Sequence, residues 1–128
     1  MNTKIAVLFA ALFLSGNALA DTYYGILNAV SSNSGRTHHV TFTYEIDLTY
    51  KDNVTGVLKI AGPVTSCSGD HELISGSIKD NVVILRTKKP EGFRCGAILF
   101  KGEVVGNKFV GKVPWNGIPT DLELEKKN

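Results

Sequence analysis

Val40-Thr41-Phe42-Thr43-Tyr44-Glu45-Ile46-Asp47-Leu48-Thr49-Tyr50 alternates without error. Val40, Phe42, Tyr44, Ile46, Leu48 and Tyr50 fall on one side. Thr41, Thr43, Glu45, Asp47 and Thr49 fall on the other. Successive side chains of a strand point to opposite faces, so this period of two predicts a strand with one buried and one wet face. A helix would scatter the same apolar residues around its circumference. One face to a core and one to water means antiparallel β structure, which settles the class but not the function.

Working outward, the flanking chain reads as more strands joined by short turns. Thr22 to Val30 is an earlier strand, closed by the polar run Ser31-Ser32-Asn33-Ser34-Gly35. The long strand spans Thr37 to Tyr50, turns at Lys51-Asp52-Asn53 and returns over Val54 to Ile60. His71 to Ile78 and Val82 to Thr87 form a hairpin around Lys79-Asp80-Asn81. Gly96 to Val105 and Phe109 to Val113 form another around Gly106-Asn107. Pro114-Trp115-Asn116-Gly117 interrupts, and Thr120 to Lys126 closes the series.

Lys51-Asp52-Asn53-Val54 recurs as Lys79-Asp80-Asn81-Val82. Asp, Asn and Gly accept the positive φ of tight hairpins, so the echo reads as repeated turn geometry. Glycines 56, 76, 102 and 111 lie inside strand patterns, where glycine marks bulges and bends. An antiparallel meander of about eight such strands tends to close and remove its edges. The expected fold is therefore all-β, a closed or nearly closed small β-barrel, with a two-sheet β-sandwich second.

The first 20 residues stand apart. Lys4 precedes the apolar run Ile5 to Leu14, and Ala18-Leu19-Ala20 is a small-x-small cleavage site. A spanning helix needs roughly twenty apolar residues, so residues 1–20 are expected to be a cleaved signal peptide. Residues 21–128 are then one β-barrel domain, periplasmic or secreted, with size enough for a single core. Removing Lys4 from the 14 basic residues leaves 13 against 12 acidic ones. Such a balance gives no steering toward nucleic acid and no polybasic tract for a membrane surface.

Cys67 and Cys95 are the only cysteines. An even pair in an exported chain is expected to form one disulfide. Closing that loop would stabilise the fold by roughly 3.5 kcal/mol in the chain-entropy model.

No constellation of catalytic residues stands out. His38 and His39 are adjacent on a strand and point to opposite faces, so one metal ion could not take both, and His71 stands alone. Ser66, Ser68, Ser75 and Ser77 lie in no nucleophile elbow. Glu45 and Asp47 share a wet strand face, where carboxylates are routine. No metal and no cofactor are expected. Asn53-Val54-Thr55 matches a glycosylation sequon, but a hairpin turn already explains that Asn.

Aromatic residues near strand ends suggest binding instead. Tyr23, Tyr24 and Trp115 combine contact area with a polar handle, although plugging the barrel ends as ordinary packing is the preferred account of them. Three segments suit a binding surface carried on loops: Ser31 to Arg36, Lys88 to Arg94 and Pro114 to Pro119. The second sets Phe93 and Arg94 beside Cys95, and the third holds Trp115 between two prolines. Trp115 and Arg94 are the expected anchors.

The expectation is an exported binding module for a protein partner or a small ligand, with hydrolase inhibition as one form. It is expected to engage no nucleic acid and no membrane interior. The expected architecture resembles small exported barrels such as avidin and the bacterial metalloprotease inhibitors, at the level of fold alone. No motif of either occurs, and a single Trp cannot build an avidin-like aromatic cage. The alternative is a periplasmic enzyme using carboxylate or His chemistry through His38, His71 or Glu45. A small outer-membrane barrel comes third, since the chain ends in Glu125-Lys126-Lys127-Asn128 without a terminal aromatic.

Overall fold

A computed structural model describes residues 20–30, 34–63, 66–89 and 95–127. The expected signal peptide, save Ala20, lies outside the described residues. Eight strands follow in order: β1 (Ala20–Val30), β2 (Thr37–Asp47), β3 (Thr55–Ala61), β4 (Gly69–Lys79), β5 (Val82–Thr87), β6 (Leu99–Val105), β7 (Lys108–Trp115) and β8 (Ile118–Lys127). Each pairs antiparallel with its chain neighbours, and β8 returns to β1 to close a barrel. The meander and its closure are as expected, and the sandwich is not formed.

β2 shows why the barrel forms. Val40, Phe42, Tyr44 and Ile46 are buried, while Thr41, Thr43, Glu45 and Asp47 are only partly covered. Phe42, Tyr44 and Phe100 lie inside, with centroids 6.3 Å apart for Phe42 and Tyr44 and 6.4 Å for Tyr44 and Phe100. Leu27, Leu58, Leu85, Leu122 and Leu124 complete the same core. The outer surface carries ion pairs: Lys59–Glu45 at 3.0 Å, Lys108–Glu123 at 2.7 Å and Lys112–Asp121 at 2.5 Å. Exposed pairs of this kind contribute little to stability. The glutamates hold Lys59 and Lys108 above the usual lysine pKa by hydrogen bond and charge.

Gly102 and Gly111 face each other across β6 and β7. A Cβ on either would collide with the backbone of the opposite strand, so the pair permits the close approach of β6 and β7.

Two expectations need correction. The long strand ends at Asp47, not Tyr50. The Asp47 carboxylate takes the Thr49 N–H at 2.9 Å and the Thr49 hydroxyl at 2.5 Å, a local turn that competes with the ladder. These bonds also lower the Asp47 pKa. Tyr50 consequently leaves the core and is 69% exposed. The repeated tetrapeptide forms two different turns. Asp80 and Asn81 take φ of 52° and 65° in a two-residue hairpin, whereas β2 and β3 are joined by the longer span 48–54.

Candidate functional site

A meander alternates its connections between two ends. The β1–β2, β3–β4, β5–β6 and β7–β8 connections therefore share one end, called here the loop end. The described parts of the three segments singled out by composition, residues 34–36, 88–89 and 114–119, belong to connections at that end or border them. Residues 31–33 and 90–94 lie outside the described residues, and so do Phe93 and Arg94.

The disulfide joins Cys67, in the β3–β4 connection, to Cys95 ahead of β6, with Cα atoms 5.1 Å apart. Buried His71 donates from Nε2 to the Cys67 carbonyl at 2.6 Å. Close by in sequence, the Ile98 N–H donates to the Thr87 hydroxyl at 2.8 Å and the Thr87 N–H to the Ile98 carbonyl at 2.9 Å. These bonds fix the β5–β6 connection on both sides of the undescribed residues. The disulfide is compatible with an oxidising extracellular compartment.

At the β7–β8 corner, Asn116 and Gly117 take φ of 52° and 78°, a two-residue turn that leaves Trp115 opposite Ile118. Trp115 is half-buried and packs edge-on against Phe42 at 5.8 Å. Its remaining surface lines a cleft of about 430 Å³ with Asn28, Val30, Ile118, Pro119, Thr120 and Asp121. That volume lies within the range of ligand sites. Val30 and Ile118 are 48% and 51% exposed, large aliphatic side chains left in water beside an indole. Polar groups frame them. The Thr120 hydroxyl donates to the Ile118 carbonyl at 2.9 Å, and His39 Nδ1 donates to Asn28 Oδ1 at 2.6 Å.

Of the other expected binding residues, Tyr23 and Tyr24 are not brought to this cleft. Tyr23 is buried and stacks on Phe109 at 4.1 Å, near the opposite end of β1. Tyr24 is half-buried beneath the Lys127 ammonium, 5.6 Å from its ring centroid. Packing accounts for both positions. Val30, Ile118 and Asn28 belong to the cleft and carried no signal of their own, because an exposed aliphatic at a strand end looks like any strand residue. Among the described residues, no three His, Cys, Asp or Glu side chains are grouped to hold a metal ion.

The fold and cleft define a small disulfide-linked, eight-stranded up-and-down barrel with an apolar cleft at one rim. No protein-family model, no curated protein and no solved structure matches the chain.

Proposed function

We propose that the mature chain is an exported, non-enzymatic binding module that engages a protein partner through the cleft at its loop end. The observation carrying this reading is the grouping of Trp115, Val30 and Ile118 around one cleft, apolar surface kept in water where burial would stabilise the fold. Phe42, Tyr44 and Phe100 occupy the barrel interior, which favours binding at the rim. The disulfide suits export to the periplasm or beyond, and the ion-paired outer face suits work in water, the reverse of a lipid-facing barrel wall. Inhibition of an exported hydrolase is a narrower form of the same reading.

The test uses mature oxidised protein, residues 21–128, as bait for periplasmic and host extracts. A partner retained by the native protein and lost by both Trp115→Ala and Ile118→Asp, each confirmed folded by near-ultraviolet circular dichroism, is the expected result. A partner held equally by native protein and folded variants would place the binding surface elsewhere.

A further inference from the structure

The cleft at the loop end holds an unequal set of hydrogen-bonding groups. Three acceptors on its walls are already engaged. Asn28 Oδ1 takes the His39 Nδ1–H at 2.6 Å, the Ile118 carbonyl takes the Thr120 hydroxyl at 2.9 Å, and Asp121 Oδ1 takes the Lys112 ammonium at 2.5 Å. The side-chain donors are left over. With Oδ1 tied to His39, the Asn28 amide keeps its two Nδ2 hydrogens without a partner among the described residues. The Trp115 Nε1–H has no acceptor among them either, and it is not one of the buried unpaired atoms, so it opens to solvent.

Shape and charge narrow the occupant further. Val30, Ile118 and Pro119 set aliphatic surface beside the indole. Asp121, the ionised residue of the lining, already has Lys112 as its counter-ion, so the cleft is matched to an uncharged segment. An ordinary peptide brings one N–H with each carbonyl, and every N–H that leaves water without finding an acceptor costs free energy. Proline brings a carbonyl and an apolar ring but no N–H. A run of prolines is also extended before it binds, as a polyproline II helix, and so loses little entropy on docking.

We propose that the cleft receives a proline-rich segment of the partner protein. Trp115 Nε1 and Asn28 Nδ2 donate to its carbonyls, and Trp115, Val30 and Ile118 take its rings. The inference rests on the binding-module reading and adds the chemistry of the partner. Proline-rich segments dock in aromatic-lined grooves for these same physical reasons.

The test uses ¹⁵N-labelled, oxidised, mature protein and acetylated, amidated octaproline. Trp115 is the only tryptophan, so a single indole N–H resonance reports on the cleft. Octaproline should move that resonance downfield and saturably, with half-saturation below about 1 mM. A capped octapeptide of alternating Ala and Gly, which carries the same carbonyls together with their N–H groups, should bind at least about ten-fold more weakly. Asn28→Asp keeps the shape of the side chain but exchanges its donors for an acceptor. It should weaken octaproline by about five- to ten-fold, the worth of one hydrogen bond.

An indole resonance that octaproline leaves in place would overturn the proposal. So would equal affinity for the Ala-Gly peptide, or full affinity in an Asn28→Asp variant whose amide spectrum is native-like. Indole shifts that follow protein concentration without peptide would also overturn it, by making a second copy the occupant. Octaproline should further displace the partner retained in the capture experiment above. A partner lost by Trp115→Ala yet not displaced by octaproline would keep the binding module and overturn the proline-rich segment.

Discussion

The indole of Trp115 meets the ring of Phe42 edge-on, with 5.8 Å between centroids and 63° between planes. Phe42 in turn lies 6.3 Å from Tyr44, so a series of rings runs from the cleft into the core. One side chain therefore caps the barrel and lines the cleft. The two readings of Trp115 offered by the sequence, anchor or plug, are geometrically compatible.

This double position predicts a separation of effects. Trp115→Ala should cost roughly 1–3 kcal/mol, below the full loss for a completely buried ring, because part of its surface is already in water. Trp115→Phe, which can keep an edge contact with Phe42, should recover most of that loss. Urea denaturation measures both. An alanine variant as stable as the native protein would mean that the indole does not pack on Phe42.

The face of β2 gives the second prediction. Phe42 and Ile46 have no exposed surface, whereas Thr43 is partly exposed. Phe42→Ala and Ile46→Ala should each cost roughly 2–5 kcal/mol, and Thr43→Ala under about 1. A Thr43 variant more damaging than either core variant would require the opposite face to be buried.

The period of two was legible from Val40 to Asp47 because one face is dry and the other wet along the whole run. Its end was not, since Leu48 and Tyr50 extend the pattern while the Asp47–Thr49 bonds break the strand. The identical Lys-Asp-Asn-Val segments were misleading for a related reason. Turn residues permit positive φ, but the register of the flanking strands decides whether it is used. Asn116-Gly117 was the strongest hairpin signal in the chain, hidden by the neighbouring prolines. Pro114 and Pro119 sit opposite each other where no β7–β8 bond is needed, so the strands continue through them. The cleft was legible only through Trp115. Val30 and Asn28 join it because closure brings the end of β1 beside the start of β8, a relation that no local pattern records.

The disulfide and His71 should act as one unit. Replacing both Cys67 and Cys95 by Ser should lower stability by roughly 3.5 kcal/mol, since the cross-link no longer restricts the unfolded chain. The intact protein should be about 2 Da lighter than its reduced form, the mass of the two hydrogens lost on bond formation. His71→Phe removes the Nε2–H donated to the Cys67 carbonyl and should cost about 1–3 kcal/mol. In a double-mutant cycle the His71 cost should shrink once the disulfide is gone and the β3–β4 connection is free to move. Strict additivity would show that His71 does not position Cys67.

Tyr44 supplies the last prediction. Its ring lies wholly inside the barrel, and its hydroxyl meets no hydrogen-bond partner among the described residues. An unpaired buried hydroxyl is a cost, so Tyr44→Phe should leave stability unchanged or raise it by about 1–2 kcal/mol. Burial also pushes the Tyr44 phenol far above its ordinary value of 10.0, and Tyr23 is raised by burial and then by the charge of Asp21. In the unfolded chain both phenols ionise near pH 10, while the folded protein keeps their protons. Above that pH the unfolded state binds fewer protons than the native one, so stability must fall as pH rises. The full contribution is present below pH 10, and each retained proton costs up to about 1.4 kcal/mol per pH unit above it. Urea titrations between pH 8 and pH 11.5 should show this decline in the native protein and a shallower one in Tyr44→Phe, where Tyr23 and the ion-paired, exposed Lys59 and Lys108 still contribute. An unchanged alkaline slope would mean that the Tyr44 phenol ionises as freely in the folded barrel as in the open chain.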